Sequence, residues 1–141
     1  MTSPEIAAAL YHRWQNYASK QVARRELTVE DAEARVRPWL NIAAMAGAQI
    51  DAVYEDHIQI FPYDRAGRSV QIPLAIRLTT ADRTAALAEL GRARDAAINA
   101  VPDPSDPGFS RASTIAHGLQ NLAAYLGAPP YPLPREQKEA A

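Results

Sequence analysis

The segment GFSRASTIAHGLQNLAAYLG, residues 108–127, holds the side chains best suited to binding a ligand. In a helix, positions one turn apart share a face, so Arg111, Thr114 and Asn121 form one polar stripe. Ser110 is expected to cap the start of this helix, where free backbone amides favour negative charge. An arginine fork beside those amides suits phosphate or carboxylate. The spacing therefore predicts an anion-binding face.

The same segment has a structural interpretation that needs no ligand. Gly118 would let a neighbouring helix approach, and Arg111 would pair with Asp103 or Asp106 in the preceding loop. His117 would act as a general base only if the fold brought it a nucleophile and an orienting acid, and the sequence places neither. We therefore expect a protein without catalytic residues.

One other group of side chains has the chemistry of a metal site. The group consists of Asp51, Glu55, Asp56 and His57. If this segment is a strand, Asp56 and His57 point to opposite faces and cannot both bind one ion. The chain has no cysteine, so thiolate ligands and disulfides are excluded. We therefore expect no metal and no cofactor, and a solvated edge at this segment.

A basic patch is expected around the first turn of the chain. Its members are Arg24, Arg25, Arg35 and Arg37. Acidic residues are interleaved with them, and the formal net charge of the whole chain is −1. Alternating charge of this kind is typical of an exposed helical hairpin, whereas a nucleic-acid site needs more positive charge and aromatic platforms. We do not expect nucleic acid as a partner.

Two helices are predicted in the first third of the chain. The first runs to about Arg25, with apolar residues at helical spacing: Ile6, Leu10, Trp14, Tyr17 and Val22. Thr28, with Asp31 one turn later, predicts the cap of the second helix. Pro38 predicts a kink or a break in that helix, which ends near Gly47. The two helices should pack as an antiparallel hairpin.

In the middle of the chain the spacing of apolar residues changes from a helical to an alternating pattern. HIQIF, residues 57–61, and RSVQI, residues 68–72, alternate polar and apolar side chains, and YDRAG between them has the composition of a turn. LAIRLT, residues 74–79, is a candidate third strand. This pattern predicts a small antiparallel β-sheet.

Two further helices are predicted after the sheet. Thr79 followed by Asp82 resembles a capping box and opens a helix to about Ala100. The proline-rich loop VPDPSDPG then leads to the last helix, from Ser110 to Gly127.

These elements together predict an α+β fold that is mostly helical. Residues 1–127 would form a single domain, with an N-terminal helical hairpin, a small antiparallel β-sheet and two C-terminal helices. Residues 128–141 would form a proline-rich and charged C-terminal tail.

Alanine dominates the apolar composition of the chain. There are 29 alanines, whereas Leu, Ile, Val and Phe together number 28. Alanine buries little area but lets helices approach closely, so we expect copies of the chain to form a homo-oligomer. The sequence has neither a secretory leader pattern nor a long apolar run, which predicts a cytoplasmic protein with no membrane contact.

Two segments resemble small proteins of tailed bacteriophages. YHRWQNYASKQVARRELTVEDAEARV, residues 11–36, is similar to a helical hairpin that recurs in such proteins. SRASTIA, residues 110–116, resembles the start of the C-terminal helix in phage anti-defence proteins that sequester cyclic nucleotide signals, notably the Thoeris anti-defence sponges. The pattern is an arginine, a hydroxyl residue three positions later, an aliphatic residue and alanine, here Arg111, Thr114, Ile115 and Ala116.

The polar stripe and the resemblance together predict a non-enzymatic binding protein. It would sequester a cyclic or phosphorylated nucleotide at a subunit interface, in the host cytoplasm if a phage encodes it. Seven residues are candidates for ligand binding: Arg111, Thr114, Ser110, His117, Phe109, Asn121 and Tyr125. Arg111 would hold phosphate, Thr114 and Ser110 would donate hydrogen bonds, and an aromatic ring, Phe109 or Tyr125, would stack on a base.

Two other functions fit the same sequence. The chain could act as a protein-binding inhibitor or structural adaptor, through its helical hairpin and proline-rich tail. A hydrolase that uses His117 ranks third.

Overall fold

A computed structural model describes residues 2–48, 58–61, 70–72, 76 and 78–133 of the chain. Within these residues lie four helices: α1 (Ser3–Ala23), α2 (Val29–Met45), α3 (Thr80–Asn99) and α4 (Phe109–Leu126). Contacts within the chain group it into two compact units, Met1–Ala86 and Leu87–Ala141, so α3 crosses from one unit to the other.

The class of the fold differs from the predicted one. Two short segments, β1 (Ile58–Phe61) and β2 (Val70–Ile72), pair antiparallel. Of the predicted third strand, Ile76, Leu78 and Thr79 are described and none of them is in a strand. Alternating side chains show only a local preference for extended backbone, whereas an independent sheet needs three or more strands. The described part of the chain is helical, and the prediction of an α+β fold with a β-sheet is wrong.

Local capping explains where the first two helices begin. Thr2 caps α1, where its side chain accepts a hydrogen bond from the Glu5 amide and its own amide donates to the Glu5 carboxylate. Thr28 caps α2 by accepting from the amide of Asp31 at 3.1 Å. The predicted cap at Thr28 is confirmed. Arg25, with a φ of 59°, turns the chain after α1.

Pro38 does not end a helix. α2 runs through it as one helix, so the predicted alternative of a break at Pro38 is wrong. A proline inside a helix removes one hydrogen bond and costs about 3 kcal/mol. Val36, Trp39 and Leu40 lie on both sides of Pro38 and are buried, and the apolar area that they bury offsets this cost.

The core of the helical hairpin forms between α1 and α2. Its largest fully buried side chains include Tyr11 from α1 and Trp39 from α2. Trp14 extends this core by stacking on Trp39, with ring centroids 5.6 Å apart and an interplanar angle of 10°. On α1 the buried face contains Ala7, Tyr11 and Ala18, whereas Leu10 is half-buried and Tyr17 is exposed.

The hydroxyl group of Tyr11 is buried and has no hydrogen-bond partner among the described residues. Burial raises the pKa of Tyr11 above its usual value because the ionised phenolate loses its hydration. The neutral phenol is therefore favoured in the folded chain. A group whose pKa is raised on folding makes its full contribution to the free energy of unfolding below its unfolded pKa. This contribution is lost as the pH rises through the folded pKa.

We expect Tyr11→Phe to raise the free energy of unfolding by about 1 kcal/mol at neutral pH, because it removes an unsatisfied buried group. Above about pH 10 the parent protein should lose stability faster than the variant, since only the parent must keep this phenol neutral. Urea unfolding followed by circular dichroism at pH 7 and above pH 10 measures both effects. A loss of stability at pH 7 would show that the hydroxyl is bonded in solution.

The second unit includes the later part of α3, α4 and the segment Ala128–Leu133. Leu90 on α3 and Leu122 on α4 are fully buried. Gly127 ends α4 in the left-handed conformation with a φ of 76°, which confirms the predicted end of this helix.

The segment Ala128–Leu133 is bonded along α3. Arg94 donates to the carbonyl oxygen of Pro129, and the amide of Leu133 donates to Asp95 Oδ2 at 2.7 Å. The Tyr131 hydroxyl lies 2.9 Å from Asn99 Oδ1. The first residues of the predicted tail therefore make specific contacts with a helix. The prediction of a single domain over 1–127 stays a prediction.

Candidate functional site

The start of α4 leaves backbone amides without acceptors. Gly108 is the N-cap residue and provides no side-chain cap, so the prediction that Ser110 caps this helix is wrong. The reason is local, because Asp106 Oδ1 accepts from the Gly108 amide at 2.7 Å and turns the chain into the helix earlier. In the part of the chain that the structure describes, the amides of Ser110 and Arg111 have no acceptor.

The polar stripe of α4 faces outward. Arg111, Thr114 and Asn121 are exposed, and Tyr125 continues the same stripe with 60% of its surface exposed. The opposite face of the helix is buried, with Leu119 and Leu122 among its members. The helix therefore presents the predicted binding residues on one accessible face.

Three further candidates flank the stripe. Ser110 and His117 are exposed, and Phe109 is half-buried at the first position of the helix. All seven candidate residues thus lie on α4, but Phe109 is less accessible for stacking than Tyr125. The hydroxyl of Thr114 donates to the Ser110 carbonyl at 2.8 Å, so a ligand must compete for that hydrogen.

Arg111 does not form the ion pair that the structural interpretation requires. Within the described residues it has no salt bridge to Asp103 or Asp106. The Asp103 carboxylate instead accepts from the amide and hydroxyl of Ser105, and these bonds lower the pKa of Asp103. Arg111 belongs to the first turn of α4, as the unbonded amides do, and among the described residues its guanidinium has no partner.

The structure does not provide His117 with catalytic partners. Across the described ranges, His117 makes no hydrogen bond or ion pair. Ser110 and Ser113 are near it in sequence, but neither is bonded to its ring. Nucleophilic catalysis needs a hydroxyl within hydrogen-bond distance of the base, and no described hydroxyl meets that requirement in this structure.

The four arginines of the predicted basic patch differ in their exposure. Arg24, Arg25 and Arg35 are exposed, whereas Arg37 is half-buried and pairs with Glu33 one turn earlier. Salt bridges within a helix of this kind are typical of a solvated face.

The candidate metal group at residues 51–57 lies outside the described residues. Within those that are described, no group of histidine and carboxylate side chains is arranged to hold a metal ion.

Sequence reasoning missed one cleft. It has a volume of about 390 Å³ and lies within the unit Met1–Ala86. Nine residues line it: Glu30, Glu33, Ala34, Arg37, Pro38, Asn41, Asp82, Ala85 and Ala86. The lining residues that belong to α2 recur once per helical turn, and this spacing is the signal in the sequence that could have indicated the cleft. The contribution from α3 cannot be read from local sequence.

Comparisons with known protein families, curated proteins and solved structures find no match to this chain. The function must therefore be inferred from the geometry of the chain itself. In addition, none of the helices in the described ranges combines the length and the apolar character that crossing a membrane requires.

Proposed function

We propose that this chain is a non-enzymatic binding protein that sequesters a cyclic or phosphorylated nucleotide through the exposed stripe of α4. The resemblance to phage anti-defence sponges leads to the same proposal, with the host cytoplasm as the place of action. The observation that carries the proposal is that, within the described residues, the Arg111 guanidinium has no ion pair and the amides of Ser110 and Arg111 have no acceptor.

Phosphate suits this arrangement for two reasons. The first-turn amides of a helix carry partial positive charge, and they point along the helix axis towards an approaching anion. Arginine adds a planar fork that binds two phosphate oxygens at once. The hydroxyl of Ser110 and, after rotation, that of Thr114 supply further donors on the same side of the helix.

A nucleotide also needs a surface for its base. Tyr125 lies on the same stripe, about four turns further along α4 than Arg111, and 60% of its surface is exposed. Ile115, at the edge of the stripe, is 38% exposed. Exposed large apolar side chains on a helix whose opposite face is buried favour docking of a second chain. We therefore place the ligand between two copies of α4, in a homo-oligomer.

Calorimetric titration with cyclic dinucleotides and cyclic ADP-ribose isomers tests the proposal. We expect one of these compounds to bind, and we expect Arg111→Met to weaken its binding by at least about 10-fold, because charge-assisted hydrogen bonds are lost. Arg92→Met is the matched control, because Arg92 is an exposed arginine on α3 and should leave the affinity unchanged.

Two further measurements separate this function from the alternatives. Chromatography of the bound compound should recover it intact, whereas turnover would favour a hydrolase. Light scattering should give the mass of a dimer or a larger assembly. Absence of binding across the panel would overturn the proposal, and a monomer that binds the nucleotide would overturn the placement between subunits.

A further inference from the structure

The outward face of α1 carries a row of cations with an aromatic ring among them. We call this row the basic stripe, and its members are Arg13, Tyr17, Lys20 and Arg24. They are spaced by four, three and four positions, so they share one face of the helix. All of them are exposed, and the row extends over about 17 Å.

The cations of the basic stripe are not neutralised within the part of the chain that the structure describes. Their side chains make no hydrogen bond or ion pair there. No acidic residue occurs between Ile6 and Arg25, and the acids of the hairpin turn begin at Glu26, beyond the end of the stripe. Glu5, the acid at the start of α1, is bonded to the amide of Thr2. Unpaired positive charge of this kind attracts an anionic partner.

Tyr17 adds a surface for a flat ring. It is 55% exposed, and its ring makes a T-shaped contact with Trp14, with centroids 6.4 Å apart and an interplanar angle of 87°. Trp14 in turn stacks on the buried Trp39. A tyrosine held in this way loses little further freedom when a partner binds, and its accessible surface can stack on an aromatic group.

Two anionic partners suit a row of cations on a helix, a membrane surface and a phosphate backbone. A helix that lies in a membrane surface inserts its apolar face. The apolar face of α1 is buried, with Tyr11 and Ala18 among its members, so it does not meet this requirement. Single-stranded nucleic acid needs no such face, because its phosphates bind cations and its unpaired bases stack on aromatic rings.

We propose that the basic stripe of α1 binds single-stranded nucleic acid. Arg13, Lys20 and Arg24 contact phosphates along the strand, and a base stacks on Tyr17 between them. Binding does not depend on the base sequence, because every base has a ring face that can stack.

Two features separate this proposal from the earlier inferences. The expectation that nucleic acid is not a partner rested on the arginines at the hairpin turn, where acids are interleaved, and the basic stripe extends away from that turn. The stripe lies in the unit Met1–Ala86, whereas α4 with the proposed nucleotide site lies in the other unit. Each proposal therefore stands or fails independently.

Fluorescence anisotropy on the full chain tests the proposal, with a labelled oligothymidylate of about 12 nucleotides as the probe. We expect a dissociation constant of about 10–100 μM at about 50 mM salt. Three phosphate contacts predict that the logarithm of the binding constant falls with the logarithm of the salt concentration with a slope of about −2. A slope near zero would overturn the proposal.

An abasic strand of the same length separates stacking from charge. It keeps the phosphates but has no bases, so it should bind at least about 5-fold more weakly than oligothymidylate. Tyr17→Ala should weaken the binding of oligothymidylate by a similar factor and leave the affinity for the abasic strand unchanged. Tyr131→Ala is the matched control, because Tyr131 is an exposed tyrosine of the other unit, and it should bind both strands as the parent does.

Charge variants place the strand on α1. Arg13→Gln and Lys20→Gln should each weaken binding about 3- to 10-fold at low salt, and each should reduce the steepness of the salt dependence by about 0.7. Arg92→Gln is the matched control, because Arg92 is an exposed arginine on α3 that is paired with Glu89. Its affinity should equal that of the parent.

Three outcomes would overturn the proposal. Equal affinity for the two strands, or equal effects of Tyr17→Ala and Tyr131→Ala, would show that no base stacks on Tyr17. Equal effects of Lys20→Gln and Arg92→Gln would place the strand elsewhere on the chain. Sedimentation of the protein with phosphatidylserine vesicles, without binding of the oligonucleotide, would identify the stripe as a membrane surface. Circular dichroism checks that each variant is folded.

Discussion

Replacing Trp39 with alanine should lower the free energy of unfolding by about 3–5 kcal/mol, the largest effect that we expect from any single substitution in this chain. Trp39 is 1% exposed and stacks on Trp14. Its removal would leave a cavity between α1 and α2 and would also remove the stacking contact, which contributes about 1 kcal/mol. Urea unfolding followed by circular dichroism measures the loss.

The substitution needs controls because it removes much of a typical domain's stability, which is about 5–15 kcal/mol. Trp39→Phe keeps an aromatic ring and should lose about half as much, so it reports even if the alanine variant is unfolded. Tyr17→Ala removes an exposed aromatic ring from the same hairpin, and its cost should stay below about 1 kcal/mol. Equal costs for Trp39→Ala and Tyr17→Ala would contradict the packing of the hairpin.

The second large effect is expected at Arg94, which lies on α3 and is 4% exposed. Its Nε and Nη2 atoms donate to Asp95 Oδ1 at 2.9 and 2.8 Å, and Nη1 donates to the carbonyl of Pro129. Arg94→Met keeps the aliphatic stem but leaves a partly buried carboxylate and a carbonyl without donors. We expect the free energy of unfolding to fall by about 3 kcal/mol.

The same variant should also release the segment Ala128–Leu133. The amide of Leu133 is bonded to Asp95 Oδ2, and Asp95 is held by Arg94. Hydrogen exchange at the Leu133 amide should therefore be at least about 10-fold faster in Arg94→Met.

Arg92→Met is the control for this experiment. Arg92 is 61% exposed and pairs with Glu89 on the same helix, and pairs of this kind contribute about 0.5 kcal/mol or less. Stability and exchange should change little. A loss in Arg92→Met as large as that in Arg94→Met would contradict the role assigned to the buried guanidinium.

Helix boundaries could be predicted well because they depend on contacts within one turn. Thr28 accepts from the amide of Asp31, and Thr79 accepts from the amide of Asp82 at 3.1 Å, as their spacing predicted. Gly127 ends α4 because it adopts a positive φ. Where a competing local contact was overlooked, at Asp106 and Gly108, the predicted start of α4 was displaced.

The buried face of each helix was harder to predict. On α1 the sequence indicated a stripe through Leu10 and Tyr17, but Tyr11 is buried and Tyr17 is exposed. Helical period determines which residues share a face, and neighbouring faces on α1 are both partly apolar. Only packing against α2, where Trp39 stacks on Trp14, decides between them.

The predicted β-sheet was wrong for a related reason. Alternation in HIQIF and RSVQI reflects local backbone preference, and β1 and β2 do pair, but an independently stable sheet needs three or more strands, and the described residues of LAIRLT are not in a strand.

The sequence by itself determined the four helical segments, most of their ends and the polar stripe that carries Arg111, because all of these follow from contacts within a few residues. Only the tertiary structure decided which apolar face is buried and that Arg94 binds the C-terminal segment. It also decided that Asn41 and Asp82, on different helices, line one cleft. Such contacts depend on packing between segments distant in the chain, and no local pattern records that packing.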